Sequence, residues 1–180
     1  MPRRAGKRPD SRRRTIASGR HIRLVSAGGW EFAERVGSTG VAVIVPVTDS
    51  GTVLLTEQSR APVGRRVIDW PAGLAGDVAG EERESLAKAA RRELLEEVGC
   101  RARRLVRLAV CPTSPGLTSE TVAIFHATGV TRVTNGGGDG SEDIQVHEVP
   151  LASIRPWLRK KSRAGRLIDP KVYAGLYLIQ

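Results

Sequence analysis

The sequence predicts a layered domain of the α/β (α+β) class, in which helices sandwich a sheet. Three observations predict it. Short strand-like runs fill residues 22 to 70, one amphipathic helix follows at about residues 82 to 98, and further strands lead into a helical C-terminus. No segment repeats, and 180 residues of which 40% are apolar suit a single unit with its own core.

The elements follow in chain order. In "HIRLVSAGGWEFAERV", from residue 21, two β segments flank Gly28-Gly29, a hairpin signal. Trp30 and Phe32 alternate onto one face of the second segment, and an apolar pair at that spacing is most often core. "GVAVIVPVTDSGTVLLTEQS" holds a buried apolar strand, a turn at Asp49-Ser50-Gly51 and a second strand. "RRVIDWPAGLAGDVAGEE" reads as a strand and then a Gly-rich loop. On the helix after it, Leu86, Ala90 and Leu94 recur every fourth residue, Leu95 and Val98 flank them, and Gly99 stands where a C-cap glycine would. "RLVRLAVCPT" and "TVAIFHATGVTRV" are strands joined by "SPGLTSE", and the acidic loop "NGGGDGSED" leads to the strand "IQVHEV". Near the C-terminus Asp169 is placed to cap a helix whose first residue is Pro170.

The net charge of +10 raises the question of a nucleic-acid partner, but its distribution weakens that reading. Residues 1 to 20 carry eight Arg or Lys against Asp10 alone, which leaves only +3 for residues 21 to 180. The first segment reads as a disordered basic tail, free to touch phosphate polymers without that being the main function. Residues 21 to 180 read as the domain. No apolar run is long enough to span a bilayer, and no apolar stretch follows the basic N-terminus, so the chain reads as soluble and cytoplasmic. Cys100 and Cys111 lack zinc-ligand spacing and read as buried free thiols. His21, His126 and His147 are scattered and carry no ligand spacing.

The chemistry concentrates in "RRELLEEVGC", residues 91 to 100. Glu93, Glu96 and Glu97 fall within one helical turn, where like charges repel by a few tenths of a kcal/mol per pair. Such a cluster of oxygen ligands suits a hard divalent cation such as Mg²⁺. By spacing alone, a solvated acidic helix end is an equal alternative.

The wider stretch tips that balance. With Glu84 eight residues before Arg92, it reads E-x7-R-E-L-x-E-E-x-G-C, and a glycine-rich loop precedes it. This resembles the signature of the Nudix hydrolase family, which asks for a glycine six residues before that first glutamate. Position 78 is Val78, and the loop glycine that looks equivalent is Gly73, so the reading includes a five-residue insertion at residues 76 to 80. Pro115, sixteen residues after Gly99, resembles the mark of the branch that hydrolyses ADP-ribose and other nucleoside diphosphate sugars, as do "LLTEQSRAPVGRRVIDWPAGL", "TSPGLTSE" and "GRLIDPKVYAGLYL".

The resemblance implies a Nudix α/β/α sandwich with a mixed sheet and an N-terminal antiparallel β hairpin segment. It implies a homodimer in which residues 21 to 37 reach the partner, and a small nucleoside diphosphate substrate split into two monophosphates. Mg²⁺, with Mn²⁺ as an alternative, would be held by Glu93, Glu97, the carbonyl of Ala72 and Glu142, with Glu96 on a metal or its water. Arg92 would orient the carboxylates, while Glu84, Gly73 and Gly99 would be structural. Arg60, Trp30, Pro115 and Glu120 would meet the substrate. For the general base, the first acidic position of the related loop is Gly140 here, so Glu142 is the candidate, with Asp139, Asp143 and Glu120 as alternatives. Two other functions are left open: hydrolysis of RNA 5′ ends or dinucleoside polyphosphates, and a nucleotide-binding module without catalysis.

Overall fold

The computed structural model describes residues 12–138 and 143–180. A three-stranded antiparallel sheet comes first, β1 (Arg14–Ser18), β2 (Ile22–Ala27) and β3 (Trp30–Arg35), paired in that order. The rest comprises β4 (Gly40–Pro46), β5 (Thr52–Arg60), β6 (Arg65–Asp69), β7 (Ala72–Ala75), α1 (Leu86–Val98), β8 (Cys100–Pro112), β9 (Thr121–Arg132), β10 (Gln145–Pro150), α2 (Ile154–Arg163), β11 (Leu167–Ile168) and α3 (Pro170–Leu178). These strands make two four-stranded mixed sheets, ordered β7-β4-β9-β8 and β10-β5-β6-β11. Only β4/β9 and β6/β11 run parallel.

The run "VAVIV" of β4 shows why this layering forms. It is apolar at every position because both of its faces are covered. Ala42 and Ile44 pack with Ala90, Leu94 and Val98 of α1, whereas Val43 and Val45 pack with Ile68, Trp70, Leu158 and Val172 on the side of α2 and α3. The result is the expected α/β/α sandwich, with α1 alone on one side.

Three boundaries differ from the sequence reading, each for a local reason. The central helix starts at Leu86 and not at 82, because the Ser85 side chain accepts the Lys88 amide and caps it there. The Gly-rich loop opens with β7, which pairs with β4 from Gly40↔Ala75 to Val43↔Ala72. Residues 14–18, inside the segment read as a disordered tail, form β1. This strand buries no side chain; backbone pairing to β2 holds it, together with the ion pair of Arg13 and Glu34, to which Arg23 also binds at 2.6 Å. Residues 1–11 lie outside the described part.

Both helix-end expectations hold, and one of the two cysteines is as buried as expected. Asp169 caps α3 by accepting the Lys171 amide, with Pro170 at the first position. Gly99 ends α1 with φ 68°, a left-handed conformation that favours glycine. Cys100 is buried and Cys111 half-buried, both as free thiols.

Candidate functional site

The site is built where α1 lies against β7. Glu93 and Glu97, four residues apart, are both buried on the face of α1 that also carries the core residues Ala90 and Leu94. Glu96 lies to the side, with 43% of its side chain exposed. The three glutamates therefore share one turn but not one environment. The close approach of β7 requires a glycine: a Cβ on Gly73 would sit 1.9 Å from Glu93 Oε1. Next to it the Ala72 amide donates to Glu97 Oε2 at 3.0 Å.

One guanidinium holds most of this acidity. Arg92 donates to Glu93 Oε1 at 2.6 Å, Glu96 Oε2 at 3.0 Å, both carboxylate oxygens of Glu84 at 3.1 and 3.3 Å, and the Leu74 carbonyl at 2.8 Å, with Asp77 at 3.7 Å. Four carboxylates thus share a single cation. Glu84 is buried and bound to Arg92 from outside the helix, as the expected structural role requires. Asp77 comes from the loop between β7 and α1, whose turn Gly80 helps form by donating to Glu82. Burial pushes the Glu93 carboxyl up to about 7; Arg92 opposes the shift, and Glu96 and Asp77 add to it. Burial acts to lower the Arg92 pKa, but Glu84 and Glu93 outweigh it and raise the guanidinium above its ordinary value.

At the far end of α1, the chain after β9 returns to the helix. Gly137 donates to the Glu97 carbonyl and Gly138 to the Glu96 carbonyl, at 2.8 and 3.0 Å. A Cβ on Gly99 would lie 2.2 Å from the Thr134 carbonyl oxygen, so this approach also needs glycine. Glu142 and Asp139, candidates for ligand and base, lie outside the described residues. Asp143 is described, exposed and paired with Arg66.

A cavity of about 680 Å³ opens onto Ala72, Gly73, Glu93 and Glu97. Its wall also carries Arg35, Arg60, Asp77 and Glu120, so the structure brings Arg60 and Glu120 to the glutamates as expected. Glu120 accepts from Arg35 at 2.7 Å. Trp30 and Pro115 line a different, shallower groove of about 290 Å³ with Phe32 and Thr118. The expectation of a core pair fails for Trp30, which is 63% exposed. Its strand pairs with the loop of Pro115, Ala33 donating to the Leu117 carbonyl at 2.8 Å. Sequence reasoning missed Arg35, Asp77, Asp69 and Lys171 on the larger cavity, and no local pattern signals them.

The donor set fits a hard divalent cation, being carboxylate oxygens, two of them buried, on the wall of a cavity of ligand size. Among the described residues no three such side chains are yet drawn together for a metal, since Arg92 gathers Glu93 and Glu96 to itself.

Two buried glutamates on one helical turn beside a glycine cradle, on the helix that covers one side of an α/β/α sandwich, define the class. The NUDIX domain family matches residues 38–169, and the chain belongs to that family. It is 40% identical over 153 residues to an ADP-ribose pyrophosphatase of Mycobacterium tuberculosis, covering 84% of this chain and 70% of that protein. An ADP-ribose pyrophosphatase of Bacillus subtilis is 34% identical over 119 residues, 66% of this chain and 62% of that protein. In three dimensions the chain resembles a solved ADP compounds hydrolase with a TM-score of 0.70 at 23% identity, over 93% of this chain and 89% of the other. These relatives place the chain with the ADP-ribose pyrophosphatase branch of the family.

Proposed function

We propose that this protein hydrolyses the pyrophosphate bond of ADP-ribose or a related nucleoside diphosphate sugar, giving two monophosphates, with Mg²⁺ as the working ion and Mn²⁺ able to replace it. The observation that carries the reading is the pair of buried glutamates, Glu93 and Glu97, facing a cavity of ligand size, with Glu93 sharing the guanidinium of Arg92 with three other carboxylates. The 40% identical relative is an ADP-ribose pyrophosphatase, which supports the substrate.

In this proposal Glu93 and Glu97 would hold the ion with the Ala72 carbonyl and Glu142, and Glu96 would hold a second ion or its bound water. A divalent ion bound there neutralises the diphosphate and lowers the pKa of the attacking water. The chain's own residues do the rest. Arg92 keeps the carboxylates in register through its fan of charged hydrogen bonds. Arg60 and Arg35 offer cations to the phosphates from the cavity wall. Glu142 takes the proton from water; the oxygen of water bonds to one phosphorus, and the bridging oxygen leaves with the other. Trp30 and Pro115 offer a stacking surface to the base.

We further propose a cytoplasmic homodimer built on β1–β3. The exposed Ile16, Ile22, Leu24 and Trp30 support the dimer, and the two free thiols suit a reducing compartment.

The test is a phosphate-release assay over ADP-ribose, ADP-glucose, GDP-mannose, UDP-glucose and capped RNA, with Mg²⁺ and with Mn²⁺. Preferred turnover of ADP-ribose or another diphosphate sugar is expected. Turnover of capped RNA alone would transfer the protein to RNA ends, and no turnover on any of the five would leave a binding module.

A further inference from the structure

We propose that Asp69, Lys171 and Asp169 form the surface that reads the sugar hydroxyls of the substrate; the inference rests on the proposed function and adds the specificity-determining residues. Lys171 Nζ lies 2.9 Å from Asp69 Oδ2 and 2.6 Å from Asp169 Oδ2, and all three residues line the cavity that holds Glu93 and Glu97.

Each polar atom of this trio is fixed by the fold. Asp69 Oδ1 accepts the Trp70 amide at 2.8 Å, and Asp169 Oδ1 accepts the Lys171 amide at 2.8 Å as the cap of α3. The Asp169 amide donates to the Ile68 carbonyl at 2.9 Å, and Trp70 Nε1 donates to the Lys171 carbonyl at 2.9 Å, which locks the start of α3 onto the end of β6. A carboxylate has more lone pairs than these bonds use, and an ammonium has a third proton. Preorganised acceptors and a donor side by side match hydroxyl groups, each of which both donates and accepts.

Charge decides which half of the substrate belongs here. The trio carries a net charge of −1 and repels a diphosphate, whereas Arg60, lining the same cavity, attracts one, Arg35 being paired with Glu120. The uncharged, hydroxyl-bearing group is the part that fits, and Leu167, Ile168 and Pro170 beside the trio offer its C–H face an apolar contact. The spacing agrees: Asp69 precedes Ala72, the partner of Glu97, by three residues with a bend at Pro71, which keeps the two within about 10 Å of chain. A sugar esterified to a phosphate at the glutamates would extend over that distance.

The test compares ADP-ribose with ADP methyl ester, which keeps the adenosine diphosphate and lacks the sugar, on wild type, Lys171→Met and the isosteric Asp69→Asn. Expected is a rise in KM for ADP-ribose of about tenfold, the effect of one charged hydrogen bond, with KM for the methyl ester changed less than about twofold. Equal losses on both substrates, tracking a fall in Tm, would reduce the trio to a brace for α3 and overturn the inference, as would unchanged KM in Asp69→Asn. Failure of the wild type to turn over either compound would instead overturn the functional reading, and this inference with it.

Discussion

Two buried glutamates in this molecule meet opposite fates. Glu57 of β5 is fully buried, and four basic groups converge on it: Arg66 at 3.0 Å, Lys161 at 2.9 Å, Arg166 at 3.1 Å and His147 at 2.8 Å. Glu93 of α1 is also buried but shares the single guanidinium of Arg92 with three other carboxylates. Burial works to raise both acids. At Glu57 the hydrogen bonds of Lys161, His147 and Arg166 outweigh it and hold the carboxyl at about 2, whereas at Glu93 burial wins and the carboxyl rises to about 7. The first cluster is complete as folded and ties β5, β6, β10 and α2 together. The second shares one cation among four carboxylates, which supports the proposal that a metal ion binds beside it.

The sharpest way to break the comparison is to remove one carboxylate from each cluster. Glu97→Gln, on the same turn as Glu93, keeps the shape of α1 and removes a proposed metal ligand, so turnover is expected to fall on the order of a thousandfold with a smaller stability loss than Glu57→Ala. Glu57→Ala leaves several buried or half-buried cations without their partner, and a destabilisation of about 3–5 kcal/mol in urea unfolding is expected. If Glu57→Ala instead spared stability and abolished turnover, the division of labour argued here would be reversed. Gly73→Ala comes next: its methyl group occupies the position of Glu93 Oε1 and must displace that carboxylate, so activity drops with a smaller stability cost than Glu57→Ala. Assays of the purified variant against Tm would show the split.

pH gives a gentler probe, and the two clusters respond with opposite sign. The folded-state pKa of Glu93 lies above its ordinary 4.5, so the folded state binds its proton more tightly and this group's contribution to stability is lost as pH rises from about 4.5 to about 7. The pKa of Glu57 lies below 4.5, so its contribution is present above that value and is lost as pH falls toward about 2. Metal-free protein is therefore expected to show a stability maximum on the acid side of neutrality. In Glu93→Gln the loss between pH 4.5 and 7 should shrink, a difference that urea titrations at several pH values will show.

What was legible in the sequence follows the same division. The functional cluster is local: Glu84, Arg92, Glu93, Glu96, Glu97 and Gly99 lie within sixteen residues, so helical spacing gathers most of them and the family resemblance of the stretch adds Glu84. The two faces of β4 and the cap at Asp169 were equally plain, because periodicity and capping chemistry act over a few residues. The Glu57 hub could not be read, since Lys161 and Arg166 lie 104 and 109 residues away and meet it only through the sheet order. The same distance hid the pairing of Asp69 with Lys171. β1 was masked by the run Arg12-Arg13-Arg14 at its start, which makes a paired strand look like a solvated tail, and the exposure of Trp30 by the habit of apolar pairs to be core. Ser85 moved the start of α1 because a capping hydroxyl outweighs the helical propensity of the residues before it.

The central claim is that a divalent cation binds at Glu93 and Glu97. It is tested most directly by calorimetric titration of Mg²⁺, with Mn²⁺ in parallel, into the metal-free protein at pH 7.5, in wild type and in Glu93→Gln. The account predicts saturable binding to wild type accompanied by proton release and a rise in Tm, both weakened by the substitution. Equal binding by the two proteins, or none by wild type, would contradict it.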